Sequence, residues 1–168
     1  LVKVSIVVAL YLFIGNSGVL SFGHISFVAL GAWTAGVLSV PRTEKGAIMP
    51  DLTHFLLTAH ADNVASLAFA ALVGGAAAFV VGIPLMRLSG LAAGIATFAV
   101  LEITHNLLRY EEKIGPGLNT FSSVPETTGL RQATLGALFV VVVAFAYGRS
   151  RYGRLLRATR EDDAAARA

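Results

Sequence analysis

The chain has 168 residues, 55% of them hydrophobic and 14% charged, against the quarter or so of charged residues usual in a soluble domain. It has no cysteine, which excludes a disulfide framework and a thiolate metal site. Much of its net charge of +3 sits in the last twenty residues, where it reads as membrane orientation rather than affinity for nucleic acid.

Five apolar segments follow one another, at about 2–20, 22–40, 64–86, 91–109 and 130–148. Each approaches the roughly 20 residues a helix needs to cross the hydrocarbon layer. The expected fold is therefore all-α: a polytopic transmembrane helical bundle of about five spans, with residues 1–148 as the membrane region and 149–168 as a cytoplasmic basic segment. Leu1 stands where a methionine would begin a protein, and the last residues lie inside a helical pattern, so the chain reads as a piece of a longer protein. The apolar start lacks a strongly basic n-region and an A-x-A-type cleavage site, which favours a membrane segment over a signal peptide.

Gly15-Asn16-Ser17-Gly18 and Ser21-Phe22-Gly23-His24 interrupt the first two segments with polar residues and glycine. Two readings stand: a hairpin turn at the membrane surface, or an intramembrane break near 15–24. Backbone groups freed inside a membrane must be satisfied by the protein or a water-filled cavity. Transporters build solute sites from such breaks, which makes Asn16, Ser17, Ser21 and His24 candidates for a translocation pathway.

Residues 41–63 are polar, with Lys45, His54 and His60 among them, and read as an outer loop. Small residues recur at Gly31, Ala35 and Ser39, and again from Gly74 to Ala78. In lipid such residues let helix backbones approach closely. Met86-Arg87-Leu88-Ser89-Gly90 is a tight positive turn on the inner side. The segment 110–129, with Glu111, Glu112, Pro116 and Pro125, reads as a second outer loop.

Glu102 and His105 stand three apart and share a helix face. An ionisable residue inside a membrane is a functional candidate, so Glu102 joins the pathway set. The pair resembles half of a di-metal carboxylate site, but no second pair and no further carboxylates complete it. No G-x-x-x-x-G-K-[ST] loop is present, so the chain lacks the equipment to bind and hydrolyse ATP, and no enzymatic activity is expected of it.

After Ala146 the apolar run stops, and six arginines follow from Arg149 to Arg167. Arginines this close to a span mark its cytoplasmic side, and Arg149 to Arg154 suit anionic headgroups of the lipid bilayer. Leu155, Leu156 and Ala158 among the charges, then Glu161-Asp162-Asp163, suggest a cytoplasmic helix with a docking face.

Four stretches together carry a resemblance. They are Gly18-Val-Leu-Ser-Phe-Gly-His24-Ile-Ser-Phe27, then Leu30-Gly-Ala-Trp-Thr-Ala35, then Leu85-Met-Arg87-Leu-Ser-Gly90 with Thr97 and Glu102-Ile103, and finally Arg154-Leu-Leu-Arg157-Ala-Thr-Arg160-Glu161-Asp162-Asp-Ala-Ala165. In this order they resemble the permease subunit of branched-chain amino acid ABC importers, specifically the LivM-like member of the LivH/LivM pair, over its N-terminal part. The resemblance implies alternating access in the inner membrane and four kinds of association. Two cytoplasmic ABC ATPases would bind ATP and Mg, a second, LivH-like permease subunit would complete the pore, an extracytoplasmic solute-binding protein would deliver the substrate, and the bilayer would surround the spans. It also implies a coupling helix beginning near Arg160, with Arg157, Arg160, Glu161, Asp162 and Ala165 engaging an ATPase. The chain departs from the pattern at Lys113–Pro125 and at Leu91-Ala92, which leaves the solute open among branched-chain amino acids, other amino acids, urea and amides. The alternative from another class is a stand-alone secondary transporter or channel with Glu102 and His105 as a proton or ion relay.

Overall fold

The computed structural model describes residues 1–18, 20–88, 90–118, 121, 124–125 and 129–161, without the side chains of 159–161. Its regular elements among these residues are all α-helices. They fall into two compact units, residues 1–21 with 128–168, and residues 22–127.

The first unit contains α1 (Val2–Ser17), α7 (Leu130–Arg149) and α8 (Arg151–Glu161). Helix α1 packs on both α7 and α8. It ends because Gly18 takes the left-handed conformation (φ 69°) and donates its N–H to the Ile14 carbonyl, a stop that glycine makes without steric cost. Helix α8 starts at Arg151, nine residues before the start near Arg160 that the resemblance implies. The reason is local: the Ser150 hydroxyl accepts the Gly153 N–H at 3.2 Å, an N-cap that opens a helix there.

The second unit contains α2 (His24–Ser39), α3 (Arg42–Ile48), α4 (His54–Thr58), α5 (Asn63–Leu85) and α6 (Gly90–Tyr110). Its most extensive packing joins α2 to α5. Gly31 and Gly74 make this crossing close: a Cβ on Gly74 would stand 3.1 Å from the Phe27 carbonyl oxygen, and one on Gly31 3.4 Å from that of Ala70. Ser39 Oγ and Ser66 Oγ meet at 3.4 Å farther along.

Among the described residues three helices, α5, α6 and α7, are long and apolar enough to cross a membrane. The first two segments fall short of the span length expected of them: α1 and α2 have 16 residues each, about 24 Å at 1.5 Å per residue against about 30 Å of hydrocarbon. Gly18 stops α1. Pro41 stops α2 by forcing Val40 into an extended conformation (φ −62°, ψ 132°). Helix α3 then leaves at 118° to α2 and turns the chain into the loop residues 41–63.

Residues 41–63 are more than a polar linker. They fold into α3 and α4 over a core of Val37, Val40, Met49 and Leu52. Lys45 is fully buried beside that core. Its ammonium donates to the carbonyls of Leu56, at 3.1 Å, and Ala59, so it closes the C-terminal end of α4, where carbonyls lack helical partners. This loop also meets the loop that follows α6, since Thr53 N–H and Oγ1 both donate to the Lys113 carbonyl, at 3.0 and 2.8 Å. Both loops therefore lie at one end of the unit.

We expect Gly74→Val to destabilise the solubilised protein by about 1–3 kcal/mol through overpacking. Gly75→Ala, whose Cβ meets nothing within 4 Å, should be neutral or stabilising, and thermal unfolding in detergent compares the two. Lys45→Met should cost about 1–3 kcal/mol by leaving two carbonyls without a donor. Burial, and secondarily the Arg42 guanidinium, hold Lys45 below the ordinary lysine value of 10.5. Between those two values the unfolded chain binds more protons, so stability rises with pH. The deficit of Lys45→Met should accordingly widen as pH climbs toward 10.5, read from melting temperatures at successive alkaline pH values.

Candidate functional site

Trp33 organises the loop end of the second unit. Its indole N–H donates to the Ile114 carbonyl at 3.1 Å, as a largely apolar helix requires of a tryptophan. Phe121 meets its ring edge to face, 4.8 Å between centroids at 83°. Gly115 lies so close that any Cβ there would overlap the indole. Gly117 must also be glycine, with φ 60° and only 2.7 Å from a built Cβ to Glu112 Cγ. Ile114, Gly115 and Phe121 are thereby seated on α2.

Two cavities flank this tryptophan. The first, about 600 Å³, lies between α2 and α6. Ile25, Ser26, Ala29 and Ala32 form its α2 wall, Leu101, Thr104, His105, Leu108 and Arg109 its α6 wall, and Gly117, Leu118 and Phe121 its roof. The second, about 530 Å³, is more apolar; Val37, Phe55, Phe69 and Val73 line it, with Arg42 and His60 among its polar groups. Trp33 and Leu108 line both and stand between them.

The broken stretch before α2 has its own solution. The Phe22 N–H donates to Thr97 Oγ1 at 3.1 Å, while that hydroxyl donates to Gly94 O at 2.8 Å. A Cβ on Gly23 would lie 3.4 Å from the Thr97 carbonyl oxygen. Two of the motif stretches thus meet in space, and a backbone donor freed before the helix finds its partner on α6.

The expected pathway residues are divided between the two units. Asn16 is buried, and its Nδ2 donates to Leu12 O at 2.6 Å; Ser17 Oγ donates to Phe13 O at 2.8 Å. Both belong to the first unit, as does Ser21. His24 opens α2, and Glu102 is exposed on α6. None of the five lines either cavity, whereas His105 lines the first. Among the described residues no three of His, Asp and Glu gather into a metal site.

Of the expected coupling residues, Arg157 donates from Nε to Gly153 O at 3.3 Å and from Nη2 to Gly148 O. It ties α8 to the last turn of α7, where carbonyls are open to a cation. Arg160 and Glu161 fall in the last helical residues of α8, and their side chains, with Asp162 and Ala165, lie outside the described residues.

The family model of the branched-chain amino acid transport system, permease component, matches residues 4–168. The chain belongs to that family. No curated protein and no solved structure matches it. As a permease component it is a transport subunit of a membrane, not an enzyme, and the apolar surfaces of α5, α6 and α7 are those of a membrane protein. The permease residues that sequence reasoning passed over are Trp33, Thr104, Arg109 and Gly115. The available signals were a lone tryptophan in an apolar helix, which needs an acceptor, and a Gly-Pro-Gly run able to approach a flat ring.

In the permease, Gly115→Ala should unseat the 111–121 segment, at a cost of about 1–3 kcal/mol. Faster proteolysis of that segment and altered Trp33 emission should report it, while Gly129→Ala, with nothing near its Cβ, should change neither.

Proposed function

We propose that this permease component is a LivM-like membrane subunit of an ATP-driven ABC importer for branched-chain or other amino acids, working by alternating access. The match over residues 4–168 carries the reading. In this reading the second permease subunit is LivH-like, two cytoplasmic ATPases bind ATP and Mg, and an extracytoplasmic binding protein delivers the solute. The C-terminal segment is cytoplasmic, and the loops around Lys45 and Lys113 face the other side.

The attachment of α8 supports a coupling role for it. The Ser150 cap and the Arg157 bonds to Gly148 and Gly153 fasten α8 to α7. A Cβ on Gly153 would overlap the Tyr147 carbonyl, so the two helices meet without room to slide. An ATPase that displaces α8 would therefore move α7 with it. Tyr152 and Leu155 are exposed on α8, and the mixed charges of Arg160, Glu161 and Asp162 follow them in the sequence. ATP supplies directionality by binding the two states unequally. The relay alternative loses support from the placement of Glu102, which is exposed and apart from the cavity that His105 lines.

The test is reconstitution of the full-length permease with its second subunit, ATPases and binding protein. Charge reversal of Glu161 and Asp162 should cut solute-stimulated ATP hydrolysis about tenfold or more, the scale of losing an interfacial charge pair, with assembly intact. Uptake that continues without any ATPase would overturn the importer reading.

A further inference from the structure

The cavity between α2 and α6 has an uneven chemistry. It extends about 12 Å along α2 from Ile25 to Trp33, at 1.5 Å per residue. Ala29 and Ala32 leave room in its middle, and Leu101 and Leu108 face that space from α6. At the loop end stand the Arg109 guanidinium and the His105 imidazole one helical turn before it. The Thr104 hydroxyl adds a third polar group. Among the described residues no Asp or Glu lines the cavity, so an anionic group finds a partner there and a lone ammonium does not. Concave sites of this size, largely apolar with a few convergent polar groups, are the usual form of small-molecule sites.

We propose that this cavity is a solute subsite that takes the carboxylate of an amino acid at Arg109 and lays its aliphatic side chain against Trp33, Leu108 and Phe121. Arg109 makes the charged contact, with His105 and Thr104 available as further hydrogen-bond donors. Gly117, Leu118 and Phe121 form the roof, so Trp33 and Gly115 position the binding surface without touching the carboxylate. This assignment rests on the importer reading for the identity of the solute, but the binding chemistry is measurable without transport.

The experiment titrates the full-length permease, assembled with its second subunit in detergent, by equilibrium dialysis with leucine, 4-methylpentanoate, leucinamide and inorganic phosphate. Leucine and 4-methylpentanoate should bind, and leucinamide should bind about tenfold more weakly, the scale of a hydrogen bond to a charged group. Arg109→Gln should remove that preference, and Arg109→Lys should restore part of it. Because Arg109 is exposed, both variants should keep the wild-type melting temperature. Leucinamide binding as well as leucine, leucine binding unchanged in Arg109→Gln, or phosphate displacing leucine at equal concentration would each overturn the subsite. ATP-driven leucine uptake by the fully reconstituted transporter is read separately. Uptake that persists while the carboxylate preference is missing defeats the subsite alone, and a carboxylate preference without ATP-driven uptake defeats the importer reading alone.

Discussion

The close crossing of α2 and α5 at Gly31 and Gly74 is the constraint on which the second unit depends. Lipid tails are as apolar as leucine, so helices in a membrane gain little from hiding apolar side chains from one another and depend on close packing. With no Cβ at either position the two backbones approach until Phe27 and Ala70 carbonyls lie within about one atom's contact of the partner helix. That crossing sets the direction in which α2 leaves toward the loops. The Ser39–Ser66 contact and the bond from Ala61 N–H to Leu38 O extend it. Trp33, two residues past the crossing, then projects where the second loop can cover it.

The loop end is held by polar groups, and each is answered. Lys45 fills the open carbonyls of α4, Thr53 fills the Lys113 carbonyl twice over, and Trp33 fills that of Ile114. Such pairings matter because a buried donor or acceptor left alone costs more than a made bond returns. They also explain how two loops rich in turn-forming residues acquire a definite form. The cavities on either side of Trp33 follow from that form, since Gly115 and Phe121 are brought in by the same seat.

The apolar blocks and their small residues made the all-helical membrane fold legible, because block length and backbone approach are local properties of the chain. The ends of α1 and α2 were only partly legible: Gly18 and Pro41 were visible, but the apolar runs around them masked how firmly they stop a helix. The content of 41–63 was not legible. Met49, Leu52, Leu56 and Leu57 follow helical spacing, yet they are scattered among charges, and a lysine at the centre of a core reads as solvent-facing until its acceptors are seen. The site was hardest to read. Asn16, Ser17 and Glu102 are conspicuous polar residues in apolar surroundings, but the first two bond to their own helix and the third faces outward in this chain. Trp33, Thr104 and Arg109 become a group only when α2 and α6 lie side by side.

Among the described residues one buried hydroxyl is left without a partner. Ser17, Thr34, Ser39, Ser66, Thr97 and Thr134 all bond back to a carbonyl three or four residues earlier on their helices, the usual way a membrane helix satisfies such groups. Ser26 sits in the first turn of α2, where the carbonyl three residues earlier, Gly23, already accepts the Ser26 N–H at 3.1 Å. Its hydroxyl is fully buried and, among the described residues, has no partner. An unsatisfied group of this kind costs about 1–3 kcal/mol, and an alanine would fit the same space without that penalty. The cost falls on the wall of the α2–α6 cavity, at the end away from Arg109. With no accessible surface the hydroxyl is not reached from the cavity, so the penalty is one that α2 carries within its own packing.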